Sequence, residues 1–173
     1  MSFKKLWIAG LCIGSVYTAG CGKSEPAVNI TELNGGWKTS CSISGTSSSD
    51  SLSSFNGSLF TSLYTSYNGT TCSANGTSAT IKQYFTITLG GKAERLPGAT
   101  QFDMTYTKKE TCSSGACVTA TYNSGNKGLG VYRVQGDVLS LGIGTFTDNP
   151  LETSRPQSYN IGDAGRQIDT SDQ

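Results

Sequence analysis

Apolar and polar residues alternate one by one along most of this chain, and no long segment repeats its apolar residues every three to four positions. That period is the signature of strands with one buried and one wet face, and it argues against helices. Ile81, Phe85, Ile87 and Leu89 alternate with Lys82, Tyr84, Thr86 and Thr88. Phe102, Met104 and Tyr106 alternate with Asp103, Thr105 and Thr107. Val118, Ala120 and Tyr122, and then Leu139, Leu141 and Ile143, do the same. Turn signals separate these runs: Asn56-Gly57, Asn68-Gly69, Asn75-Gly76, Gly90-Gly91, Ser124-Gly125-Asn126 and Gln135-Gly136-Asp137.

The pattern predicts strands at Trp37–Ile43, Ser51–Phe55, Ser58–Tyr67, Ser78–Leu89, Thr100–Lys108, Val118–Asn123, Gly130–Val134 and Val138–Ile143. Consecutive strands joined by short turns form an antiparallel meander, and eight of them can close into an up-and-down barrel with no open edge. The fold class is therefore all-β, an eight-stranded antiparallel up-and-down barrel, with a β-sandwich as the alternative. Residues 33–160 make this single domain. The serine-rich stretch Ser44–Ser54 reads as a loop feeding a strand, and the tail 161–173, which lacks periodicity, as disordered.

Composition agrees. Of 173 residues, 24 are Ser, 22 Thr and 22 Gly, while only 14% are charged. Small hydroxyl residues suit strands and turns better than helices. The chain contains no histidine, which excludes imidazole triads, His–metal sites and imidazole acid–base chemistry. Neither a P-loop nor G-x-S-x-G occurs. Asp103, Glu110 and Asp137 lie at turns and strand ends, where carboxylates serve local hydrogen bonding. No catalytic residue, metal or cofactor is implied.

The N-terminus carries an address. Lys4 and Lys5 precede an apolar stretch from Leu6 to Val16. It is too short for a membrane span, which needs about 20 residues, and fits the core of a signal peptide. Thr18-Ala19-Gly20-Cys21 resembles the bacterial lipobox, in which small residues precede a cysteine that is acylated and becomes the new N-terminus. The resemblance implies a signal peptide at 1–20, a lipidated Cys21 with a tether at 21–32, and membrane attachment through acyl chains. Gly22, rather than Asp, after that cysteine favours the outer over the inner membrane of a bacterial cell envelope. Removing Lys4 and Lys5 from the 13 basic residues leaves 11 against 12 acidic ones. A balance so close to neutral excludes a strongly basic nucleic-acid binder.

Four cysteines remain: Cys41, Cys72, Cys112 and Cys117. An even number in an exported chain implies disulfides, with three possible connectivities. Cys41–Cys72 with Cys112–Cys117 is favoured, because Ser113-Ser114-Gly115-Ala116 can form a hairpin tip. The absence of a C-x2-C pair speaks against zinc.

Leu33-Asn34-Gly35-Gly36-Trp37 opens the first predicted strand and resembles the G-x-W that begins the first strand of lipocalins. Later features add to the likeness: Trp37 followed by Cys41, the Asn56-Gly57 turn before Phe60, Cys72 after Tyr64 and Tyr67, and the hairpin Tyr132 to Leu139. The resemblance implies a barrel whose Trp37 plugs the closed end and is faced by an arginine from the last strand, with Arg133 and Arg155 as candidates. It also implies binding of a small apolar ligand or lipid without catalysis. Trp37, Tyr64, Tyr84, Tyr106 and Tyr122 are then the candidate ligand-lining residues, since aromatic walls with phenolic hydroxyls orient ligands. The alternatives are an exported protease inhibitor of barrel type, like the bacterial metalloprotease inhibitors, and a structural surface-interaction lipoprotein. An open lumen distinguishes the carrier and a filled one the inhibitor.

Overall fold

The structure is a computed structural model; it describes residues 32–122 and 126–167. The signal peptide at 1–20, Cys21 and nearly all of the tether lie outside the described residues.

Ten strands form one sheet: β1 (Gly35–Thr39), β2 (Ser42–Ser44), β3 (Ser47–Asn56), β4 (Leu59–Asn68), β5 (Thr77–Lys92), β6 (Thr100–Ser113), β7 (Ala116–Thr121), β8 (Lys127–Gln135), β9 (Val138–Ile143) and β10 (Ile161–Gln167). Every pairing is antiparallel, and each barrel strand pairs with the next in sequence. β1 pairs with both β10 and β3, which closes the ring β1-β3-β4-β5-β6-β8-β9-β10. The fold is an eight-stranded up-and-down barrel.

The membership of that ring differs from the sequence-based expectation in two places. Val118–Asn123 is not a barrel strand: β7 hairpins back on the upper half of β6, and all six of its residues are exposed. The eighth place is taken by β10, in the segment expected to be a disordered tail. Ile161–Gln167 pairs with β9 on one side and β1 on the other, so backbone hydrogen bonding supplies what its Gly- and Ala-rich sequence does not advertise. The barrel domain thus runs through Gln167. The serine-rich stretch is likewise a strand and not a loop: Ser47–Asn56 pairs residue for residue with Leu59–Asn68. Its neighbours on both sides fix a conformation for which its own residues show little preference.

The turns follow their chemistry. Gly57 and Gly136 sit at φ +56° and +58° in the β3–β4 and β8–β9 hairpins, the left-handed values that Asn-Gly and Gly-Asp turns supply. Both hairpins, the start of β1 and the end of β10 lie at one end of the barrel. At the opposite end, the mouth, strands β3 to β7 run on beyond the ring as an open sheet. β5 has 16 residues and β6 has 14. Below the mouth β6 pairs with β8 through Thr100–Thr105, and above it with β7 through Lys108–Ser113. Cys41–Cys72 ties the β1–β2 junction to the β4–β5 connection, and Cys112–Cys117 joins opposed residues of β6 and β7.

The lumen is a continuous apolar core of Leu33, Trp37, Phe55, Phe60, Phe85, Ile87, Phe102, Met104, Tyr106, Tyr132, Leu139, Leu141 and Ala164. Outside the wall, the long connection between β9 and β10 is held by Arg155. Its guanidinium donates to the carbonyls of Phe102 and Gly130, both at 2.9 Å, and pairs with Asp103 at 2.7 Å and Glu152 at 2.9 Å. Those carboxylates raise its affinity for the proton against the opposing effect of burial, and Arg155 in turn lowers that of Glu152. A Cβ on Gly130 would overlap the Phe102 ring, so glycine is required where Phe102 crosses the lumen.

Candidate functional site

The closed end is built around Trp37, which is fully buried. Its indole N–H donates to the Leu33 carbonyl at 2.8 Å, and Leu33 itself caps the core. Arg166 of β10, directly opposite in register, lays its guanidinium 4.1 Å from the centre of the indole ring. Two of its arms donate to the carbonyls of Asn34 (3.0 Å) and Glu32 (2.9 Å). An arginine on the last strand does face the tryptophan, and it is neither of the two candidates. Arg133 lies 5.0 Å from the Tyr159 ring, and Arg155 pins the β9–β10 connection. Beside this cluster Tyr132 donates to Glu32 at 2.9 Å, and burial together with that carboxylate holds its hydroxyl proton well above the ordinary tyrosine value.

The remaining candidate ligand-lining residues do not converge on one space. Tyr106 lies in the lumen and stacks on Phe85 (4.9 Å) and on Tyr122 (4.4 Å). Burial raises its hydroxyl pKa, and Gln83 donates to its oxygen at 3.0 Å. Phe55, Phe60, Phe85 and Tyr106 form a ladder with centroids 4.5, 5.1 and 4.9 Å apart. Phe146, from the β9–β10 connection, folds back into the mouth against Phe85 and Tyr106 at 5.5 and 5.8 Å. Alternation gave no hint of Phe146, because it belongs to no strand. Tyr64 is 43% exposed, on the inner face of the open sheet above the mouth. Tyr84 lies on the opposite face, between the ammonium groups of Lys108 (4.0 Å) and Lys82 (5.1 Å), and donates to Glu110 at 2.7 Å. Lys108 and Tyr84 together lower the Glu110 pKa, and Glu110 raises that of Lys108.

The lumen is thus packed with aromatic side chains from the Trp37 end to the mouth. A cleft of about 210 Å3 lies instead on the outer wall, between Ala93–Leu96 and Glu152–Gln157, with Val131 and Arg155 in its lining. A wide notch at the closed end, beside Asn34, Phe55 and Leu59, opens to solvent.

The open sheet presents a second surface. One row across its inner face reads Ser51, Tyr64, Ile81, Thr111 and Val118 in register. The next rows hold Ser49, Ser66, Ala79, Ser113 and Ala116 on one side, and Ser53, Ser62, Gln83, Lys109 and Ala120 on the other. On the opposite face Asp50 is buried beneath Lys38 (2.9 Å) and accepts the Tyr67 hydroxyl at 3.1 Å. That bond to Asp50 is the chief reason the Lys38 pKa is raised. Among the described residues, no three Cys, Asp or Glu side chains gather as metal ligands.

No protein-family model matches the chain, and no curated protein matches it significantly.

Proposed function

We propose that this chain is a lipid-anchored cell-envelope barrel of lipocalin-like type that acts by binding, without catalysis, and that its contact surface is the open sheet above the mouth and not the lumen. The observation that carries this reading is the packed aromatic ladder closed by Phe146. An eight-stranded barrel either fills with its own side chains or holds one small ligand, and the inward Phe55, Phe60, Phe85, Phe102 and Met104 are all buried to within a few per cent, so neither solvent nor an empty space reaches them. The lipocalin-like relationship is supported by Gly35-x-Trp37 at the start of β1 and by the stacking of Arg166 on Trp37. The anchor is supported by the Thr18-Ala19-Gly20-Cys21 sequence, and the Cys21→Ala chain should move from the membrane to the soluble fraction.

An apolar fluorescent probe tests the lumen. The processed chain should show no saturable binding and no quenching of Trp37, its only tryptophan once Trp7 leaves with the signal. Phe85→Ala should remove the middle rung of the ladder, cost about 3–5 kcal/mol, and create a dry apolar cavity that binds the probe. Micromolar binding of the probe by the unmodified chain would restore the carrier reading and overturn this one. The filled lumen also keeps the protease-inhibitor reading in view. Acylation at Cys21 would tie up the N-terminal segment such an inhibitor inserts, and inhibition of a metalloprotease panel by the soluble Cys21→Ala chain alone would favour it.

A further inference from the structure

The free edge of β7 sets the open sheet apart from the barrel. A closed ring has no edges, yet β7 lies outside the ring and pairs only with β6 among the described residues. Its sequence, Ala-Cys-Val-Thr-Ala-Thr, contains no charge and no proline, and all six residues are exposed, Val118 by 71%. Proteins ordinarily blunt such an edge with lysine, proline, a bulge or a covering loop. Here the hairpin is instead stiffened by the Cys112–Cys117 bond between opposed residues.

The hydrogen-bond phase of the edge is fixed. Tyr122 N–H donates to Thr107 of β6 at 2.9 Å. Even-numbered residues of β7 therefore turn their backbone groups toward β6, and Cys117, Thr119 and Thr121 turn theirs outward.

We infer that β7 is a strand-pairing edge whose occupant is β7 of a second copy of this chain, an inference that rests on the reading of the open sheet as the contact surface. A two-fold axis at Val118 would place Val118 opposite its counterpart, Ala116 opposite Ala120, and Thr119 opposite Cys117. The outward groups of Cys117 and Thr119 then meet as hydrogen-bonded pairs, giving about four backbone bonds. The strand is self-complementary: small residues face small residues on both faces, and no like charges meet. A foreign strand finds no charge on β7 to select it, whereas a second copy brings matching length, phase and neutrality. Six residues a side bury well under the roughly 1,200 Å2 of a stable interface, so the pairing is weak and concentration-dependent in solution. Lipid anchoring would raise its effective concentration.

The test uses the processed chain from residue 22 onward, without signal or acyl group, with sedimentation velocity from about 10 µM to about 1 mM, the range in which so small an interface associates. The expected result is a concentration-dependent dimer. Val118→Lys, which would oppose two ammonium groups across the axis, should weaken it at least about tenfold. Thr119→Pro should do the same without removing any β6–β7 bond, because that N–H points outward; unchanged melting would show that the fold is intact. A monomer throughout this range, or a dimer insensitive to both substitutions, overturns the inference. So does a monomer that captures an uncharged Val/Thr-rich extended peptide in a Thr119→Pro-sensitive way, which would identify a foreign strand as occupant. Apolar probe binding in the same samples separates the two levels. A monomer that excludes the probe sinks only the edge pairing, and one that admits it sinks the contact-surface reading as well.

Discussion

Replacing Arg166 with alanine is the most direct challenge to the way this barrel closes. The guanidinium makes two charge-assisted bonds to the carbonyls of Asn34 and Glu32 and covers the indole of Trp37 at 4.1 Å. A charged donor on a backbone carbonyl contributes about 1.5 kcal/mol or more when sheltered. The Asn34 bond is partly buried and the Glu32 bond exposed, so about 1.5 kcal/mol for both together is the discounted value. The stacking on Trp37 contributes about 1 kcal/mol, since the Arg166 side chain is 30% exposed. The ion pair with Asp137, at 3.7 Å to a carboxylate 86% exposed, adds nothing measurable. Rotamer freedom regained by the solvent-facing arm offsets about 0.5 kcal/mol.

The net loss for Arg166→Ala is therefore about 2 kcal/mol, or about 4–8 °C in Tm for a domain this size. Urea unfolding followed by Trp37 emission measures it, and the native emission should shift to the red as water reaches the uncovered indole. Arg166→Lys keeps the charge but not the planar two-armed donor, and should lose about half as much. Arg133→Ala, which removes the contact with Tyr159 and a buried Nε that makes no hydrogen bond, should cost less than about 1 kcal/mol. If Arg166→Ala changes stability by less than about 0.5 kcal/mol, or Arg133→Ala matches it, the closed end is not held by the last strand and the reasoning fails.

Two further outcomes follow from the same geometry. The disulfides close loops with sequence separations of 31 and 5 residues. Loop-closure entropy gives about 3.7 and about 2 kcal/mol, so the double alanine variant at Cys41 and Cys72 should unfold at clearly lower urea than that at Cys112 and Cys117, and the reverse order would count against the entropic account. Tyr132 has a raised pKa because it is buried and donates to Glu32. The unfolded chain releases this proton near pH 10 while the folded chain keeps it, so the stabilisation is fully present below pH 10 and falls as pH rises beyond it. Tyr132→Phe should remove that part of the alkaline decline; an unchanged slope in urea titrations above pH 10 would contradict it.

Some of this was legible in the residues and some was not, for identifiable reasons. Alternation marked β5, β6 and β9 because each has large apolar side chains on one face and small or polar residues on the other, whereas β8 is buried on both faces, with Leu129 and Val131 opposite Tyr132. The same alternation in Val118–Asn123 was misleading: a period of two reports strand geometry, not burial, and β7 has no buried face. β10 escaped notice for the opposite reason. Its inward positions are occupied by Ala164 and by the stem of Arg166, so nothing in Ile-Gly-Asp-Ala-Gly-Arg-Gln looks like a hydrophobic face. The one available signal was the lipocalin-like expectation of an arginine facing Trp37, and it needed a basic residue beyond the last recognised strand. The pairings Cys41–Cys72 and Cys112–Cys117 are as expected. An open lumen was made plausible by the many small strand residues, but most lie on the outer wall and in the open sheet, and inward ones such as Gly130 are covered by neighbouring large rings. The inward positions hold Phe55, Phe60, Phe85, Phe102 and Tyr106.

The distribution of large and small residues also gives the molecule two unlike ends. At the closed end Leu33, Trp37, Tyr132 and Arg166 join the first strand to the last, so both chain termini leave the barrel there. At the other end the aromatic ladder stops at Phe146 and Tyr122, and the sheet continues mostly with Ser, Thr and Ala around the single row of Tyr64, Ile81 and Val118, which offers little apolar area to draw another layer onto it. Such a surface gains little from burial, but its backbone edge can still pair at full strength with a matching strand. The β6–β7 hairpin lies at the end of the barrel opposite the start of β1 and the end of β10. Copies confined to one membrane share orientation and a high local concentration, conditions under which a six-residue edge too weak to hold a dimer in dilute solution can hold one at a surface.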